Sequence, residues 1–130
     1  MASLQFPDGT FVVVANGHEA KTFLVKGGAL AEGGRWTPAD LDDDGPAGKT
    51  PPETLSQEVD EATFAKQIAE RLYKMAYARD FESLVLVADP GTLGQILPLL
   101  HQEVCETLIL EQAKNLVNAS TGDIERSLSA

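Results

Sequence analysis

The residue pattern closest to a reactive or ion-binding site is Asp40-x-Asp42-x-Asp44-Gly45. Alternate carboxylates followed by glycine open a calcium-binding loop, in which oxygen ligands converge on one hard cation and the glycine permits a sharp turn. The pattern then departs from that loop. Pro51 stands where a bidentate Glu should close the coordination shell, and no helical pattern precedes the segment. A solvated acidic turn accounts for the same residues, so no metal site is expected.

Other candidate chemistries are weaker. Gly27-Gly28 and Gly33-Gly34 lack the P-loop spacing, and no Gly-x-Gly-x-x-Gly joins a strand to a helix. These glycines read as turn formers at strand corners, and no cofactor is expected. Cys105, the one cysteine, falls at the start of an apolar run and reads as an inert core residue. His18 and His101 have no carboxylate orienter that local spacing reveals. Glu58, Asp60 and Glu61 complement a helix N-terminus without any catalytic role. The only tryptophan, Trp36, lies next to Arg35. Such a pair marks either a contact site or a ring that fastens the segment to the sheet.

The elements that must position these residues follow from the apolar pattern. Phe11-Val12-Val13-Val14-Ala15 is a β-branched run closed by the turn signal Asn16-Gly17. Ala20 to Val25 is its hairpin partner, Gly27-Gly28 turns the chain again, and Ala29 to Glu32 is a short third strand. From about residue 35 to 55 nothing is periodic, and a long loop is expected. A loop of that length in a small domain is usually functional or disordered. Ala65, Ile68, Ala69, Leu72, Met75 and Ala76 then recur at helical spacing, with Ser56 as N-cap. Leu84 to Ala88 is an apolar run without alternation, which suits a strand buried on both faces. Asp89-Pro90-Gly91 opens a second helix carrying Leu93, Ile96, Leu97 and Leu100, and Pro98 kinks or restarts it. Cys105 to Leu110 is the next strand, and Ser120 caps a final helix through Leu128. The order predicts a single α/β domain with a mixed sheet, an opening antiparallel hairpin and parallel αβ units.

Composition narrows the function classes. The chain has 130 residues, 43% of them hydrophobic, which is enough for one real core. Its net charge is −10, and between Asp40 and Glu61 eight carboxylates face one lysine. Clustered Lys and Arg, which nucleic acids and anionic membranes require, are absent from the sequence. A lone cysteine forms no internal disulfide and suits a reducing compartment. The N-terminus lacks the charged and apolar regions of a signal peptide. No apolar run approaches the ~18 residues of a membrane span. A cytoplasmic domain without membrane association is expected.

The chain resembles the bacterial host attachment protein family, described as required for attachment to host cells. The likeness runs through Val12-Val13-Val14-Ala15-Asn16-Gly17 with Ala20-Lys21, then Asp43-Asp44-Gly45-Pro46-Ala47-Gly48-Lys49. It continues through Phe64-Ala65 and Leu72, then Phe81-Glu82-Ser83-Leu84-Val85-Leu86-Val87-Ala88-Asp89-Pro90 with Leu93-Gly94, and ends near Lys114-Asn115-Leu116. That family is similar in architecture to the central domain of the archaeal and eukaryotic class I translation release factors, which implies the same fold here. In those factors a Gly-Gly-Gln loop promotes peptidyl-tRNA hydrolysis. The corresponding place in this chain carries Gly33-Gly34-Arg35, without the Gln, and an acidic segment follows that repels a tRNA backbone.

The resulting expectation is a non-enzymatic binding module that acts in host attachment indirectly, through a basic or polar protein partner. Its contact surface is expected on the loop and the neighbouring hairpin turn: Arg35, Trp36, Asp42, Asp43, Asp44, Gly45, Pro46, Gly48, Lys49, Asn16 and His18. The alternative is a release-factor-like hydrolase, or a ribosome- or tRNA-associated protein.

Overall fold

The computed structural model describes residues 4–38 and 61–129. Five strands, β1 (Phe11–Ala15), β2 (Ala20–Lys26), β3 (Ala29–Trp36), β4 (Leu84–Ala88) and β5 (Leu108–Ala113), form one sheet in the order β3-β2-β1-β4-β5. β2 runs antiparallel to both β1 and β3, whereas β4 runs parallel to both β1 and β5. The mixed sheet expected from the sequence is therefore present.

Apolar residues of alternate parity divide the central strands between two cores. Phe11, Val13 and Ala15 of β1 and Leu84, Leu86 and Ala88 of β4 face a first helical layer. That layer is α1 (Glu61–Tyr77), which contributes Phe64, Ala65, Ile68 and Leu72, and α2 (Pro90–Ile96), which contributes Leu93 and Ile96. Val12, Val14, Val85 and Val87 face the opposite core, closed by Val117 and by Ile124 and Leu128 of α4 (Thr121–Ser129). Because both faces are covered, β1 and β4 are buried at every position and show no polar alternation.

Local chemistry sets the connections. Gly27 and Gly28 take φ of 58° and 81°, the left-handed conformation that a two-residue hairpin turn demands at both positions. Asp89 caps α2, accepting a hydrogen bond from Thr92 N–H at 3.1 Å, with Pro90 in the first turn, where no amide donor is needed. Asp89→Ala should therefore cost about 1 kcal/mol of stability, and Asp89→Asn nearly none, as read from urea unfolding midpoints. Pro98 lies in a 3₁₀ turn, Leu97–Leu99, that follows α2, so of the kink or restart expected of it the chain takes the restart. Ser120 caps α4 by accepting from Asp123 N–H at 3.1 Å.

Two segments differ from the sequence expectation. β3 does not stop at Glu32 but continues to Trp36, so Arg35 and Trp36 belong to a strand and not to a loop. The cause is non-local: β2 supplies partners Lys21 and Ala20 for Arg35 and Trp36. Gln102–Cys105 forms the short helix α3, which delays β5 to Leu108. Amides of Val104 and Cys105 bond to the His101 carbonyl at 2.9 and 3.0 Å, and Val104 rather than Cys105 turns into the core. Cys105 is exposed, not buried. The expected Ser56 cap lies outside the described residues.

Candidate binding site

Both β1 and β3 run opposite to β2, so the carboxyl ends of β1, β3, β4 and β5 all lie on one edge of the sheet. In α/β sheets that edge is where loops gather and ligands are met. Here it collects the Asn16–Glu19 turn, the end of β3, the Asp89 cap and the start of α1. The acidic segment leaves the described chain after Pro38 and rejoins it at Glu61. The Pro38 carbonyl accepts a hydrogen bond from Gln67 of α1 at 3.3 Å, which ties the departing chain to that helix.

The turn after β1 is built by a side chain. Asn16 Oδ1 accepts from His18 N–H at 2.7 Å and from Glu19 N–H at 2.8 Å, and Asn16 N–H donates to the Glu19 carbonyl at 2.9 Å. An Asn side chain substituting for a turn carbonyl fixes the direction of the next residues. His18 then projects into solvent, 3.8 Å from Glu61. Glu19 meets Arg35 of β3 at 2.5 Å, and the Arg35 side chain remains mostly exposed. Exposed ion pairs of this kind are worth about 0–1 kcal/mol. They leave His18 and Arg35 accessible for contact while holding them in register.

Trp36 faces the other way. It is buried against Phe11 at a ring separation of 5.9 Å, and the Arg71 guanidinium lies over its indole at 5.4 Å. Of the two roles available to it, this geometry fits the fastening one. Asn16, His18 and Arg35 are thus brought together on one edge, and Trp36 anchors the strand that carries Arg35. Asp42, Asp43, Asp44, Gly45, Pro46, Gly48 and Lys49 lie outside the described residues.

Gly33-Gly34-Arg35 sits at a β-bulge, where β2 and β3 slip register between Thr22 and Phe23. Gly34 N–H donates to Thr22 Oγ1 at 2.8 Å. A Cβ on Gly33 would lie 2.8 Å from that same oxygen and 3.1 Å from the Thr22 carbonyl, so only glycine fits without displacement. The bulge opens a cleft of about 430 Å³ between the outer strands and the start of α4. Lys21, Glu32 and Arg35 are its charged walls, and Thr121 Oγ1 donates to Glu32 across it at 3.1 Å. Sequence inspection missed Lys21, Glu32 and Thr121, since the strand pairing and the packing of α4 bring them together.

Both histidines have carboxylate neighbours that local spacing concealed. Besides His18 with Glu61, His101 Nε2 lies 3.3 Å from Glu70 Oε2 and its ring stacks on Tyr73 at 3.9 Å. Among the described residues no group of three or more His, Cys, Asp or Glu is placed to hold a metal ion, and no helix is long and apolar enough to cross a membrane.

A mixed five-stranded sheet between two helical layers, with Gly-Gly-Arg at a bulge of its outer strand, defines an α/β domain. Residues 9–128 match the model of bacterial archaeo-eukaryotic release factor family 12, and the chain belongs to that family. Among solved structures, it is similar to the activator of the 2-hydroxyisocaproyl-CoA dehydratase from Clostridium difficile with bound ADPNP, at 12% identity and a TM-score of 0.48. The alignment covers 94% of this chain and 63% of that one, so the chain spans less than two thirds of that protein's length. None of the curated proteins compared with it matches.

Proposed function

We propose that this domain is a non-enzymatic cytoplasmic binding module that contacts a basic or polar protein partner through the carboxyl edge of its sheet. The contact surface is Asn16, His18 and Arg35 together with the acidic residues Asp42, Asp43 and Asp44. The neighbouring Gly45, Pro46, Gly48 and Lys49 complete it. A role in host attachment is indirect, exerted through that partner. One observation carries the reading: Gly34 and Arg35 pair with Thr22 and Lys21 within a strand, Gly33 is the extra residue of its bulge, and Arg35 is held by Glu19. A hydrolase of the release-factor type would need a catalytic loop there, with Gln in place of Arg.

Charge complementarity would make association fast and sensitive to salt. The test is affinity capture with wild type and with Asp42, Asp43 and Asp44 all replaced by Asn. The variant should lose a partner that wild type retains, and identical partner sets would overturn the proposal. Family membership favours a second reading, a release-factor-like hydrolase or a ribosome- or tRNA-associated protein. Co-sedimentation with ribosomes at low salt separates the two. Binding there would support the second reading, and its absence would remove it.

A further inference from the structure

The cleft beside the β2–β3 bulge carries a charge arrangement that the partner surface shares only through Arg35. Lys21 and Arg35 are direct cross-strand partners, and both line it. Like charges placed opposite each other in an antiparallel pair repel and destabilise the pairing. Glu19 neutralises Arg35. No ion pair neutralises Lys21 among the described residues, and its ammonium is the unmatched charge of that end. This is a local exception in a chain of net charge −10 with ten basic residues in all.

The opposite end has the opposite sign. Glu32 lies three residues before Arg35, a distance of about 10 Å in a regular strand and less across a bulge. Its carboxylate already accepts from Thr121. Between the two ends the floor is Gly33-Gly34, without side chains, so a ligand can approach the backbone closely. The volume of about 430 Å³ falls within the range of small-molecule sites, roughly 300–1,000 Å³. A polyanion would be opposed by Glu32 and by the charge of the whole chain.

We infer that this cleft binds a small molecule bearing a single oxyanion group, a carboxylate or a phosphate monoester, held by Lys21 and Arg35, with a hydrogen-bond donor directed at Glu32. The inference shares only Arg35 with the protein-partner reading and does not depend on it, because Lys21, Glu32 and the bulge glycines are not part of that surface.

Titration calorimetry with two probes, inorganic phosphate and acetate, tests it on the full chain. At least one probe should bind saturably. Saturation by phosphate alone assigns a phosphate monoester, by acetate alone a carboxylate, and by both the shared oxyanion chemistry. Lys21→Gln should weaken binding about tenfold or more, Lys21→Arg should retain it, and Glu32→Gln should strengthen binding of acetate, which has no donor to offer Glu32, by relieving repulsion. Circular dichroism of each variant confirms that it is folded. No saturable binding of either probe, or binding unchanged by Lys21→Gln, would overturn the assignment. Partner capture by the chain with Lys21→Gln reads the other proposal separately.

Discussion

Phe64→Ala should lower the unfolding free energy by about 3–5 kcal/mol. Phe64 is fully buried, in the same core as Ile68 and Leu72 of its own helix and Phe11, Val13, Leu84 and Leu86 of the sheet. Removing the ring forfeits its transfer energy and leaves a cavity walled by strands that are buried on both faces and cannot collapse inward. Domains of this size are stable by only about 5–15 kcal/mol, so the loss is roughly a fifth of the total or more. Tyr77, on the same helix but 75% exposed, is the control. Tyr77→Ala should change stability by no more than about 0.5 kcal/mol. Urea unfolding followed by far-ultraviolet circular dichroism measures both. Equal effects at the two positions would contradict the assignment of the buried face.

The second large effect is expected at Gly33. Gly33→Ala should destabilise by about 1–3 kcal/mol, because a methyl group must displace the Thr22 side chain and press on the Thr22 carbonyl. Gly34→Ala is the comparison. A Cβ there would lie 3.8 Å from Thr22 Oγ1, an ordinary contact, and the cost should be close to that of a neutral surface change. The asymmetry matters for function. It ties the first glycine of Gly-Gly-Arg to the packing of a bulge, a role that requires no reaction. If the two substitutions cost the same, the bulge geometry does not constrain Gly33.

Much of the fold was legible in the sequence, because its signals are local. Val12 to Ala15, Leu84 to Ala88 and the Ala65–Ile68–Leu72 stripe carry apolar periodicity that leaves little choice of element. Asp89-Pro90 and Ser120 announce their helices through capping chemistry. β3 was half legible. Its second part, Gly33-Gly34-Arg35, has no apolar alternation, and it is a strand only because β2 pairs with it and Trp36 is drawn into the core. The turn between α2 and β5 failed for a related reason. Val104 and Leu108 are anchored by a core that sequence spacing does not display, and the helix between them carries Cys105 outward.

The candidate site divides in the same way. Asn16, His18 and Arg35 were visible as turn and charge signals, and the sheet topology places them on one edge. Glu19, Lys21, Glu32 and Thr121 became interesting only through contacts between residues distant in sequence: Glu19 with Arg35, Lys21 opposite Arg35, and Glu32 with Thr121. The histidine pairs show the same limit, since Glu61 and Glu70 lie far along the chain from His18 and His101. A pattern search within one element cannot find such pairs.

The central claim is recognition through an acidic edge without catalysis. The salt dependence of affinity for the captured partner tests it most directly, in wild type and in the chain with Asp42, Asp43 and Asp44 replaced by Asn. Weaker binding by the variant is expected, with a steep loss of wild-type affinity as salt rises that becomes shallow in the variant. Equal affinities and equal slopes would contradict it.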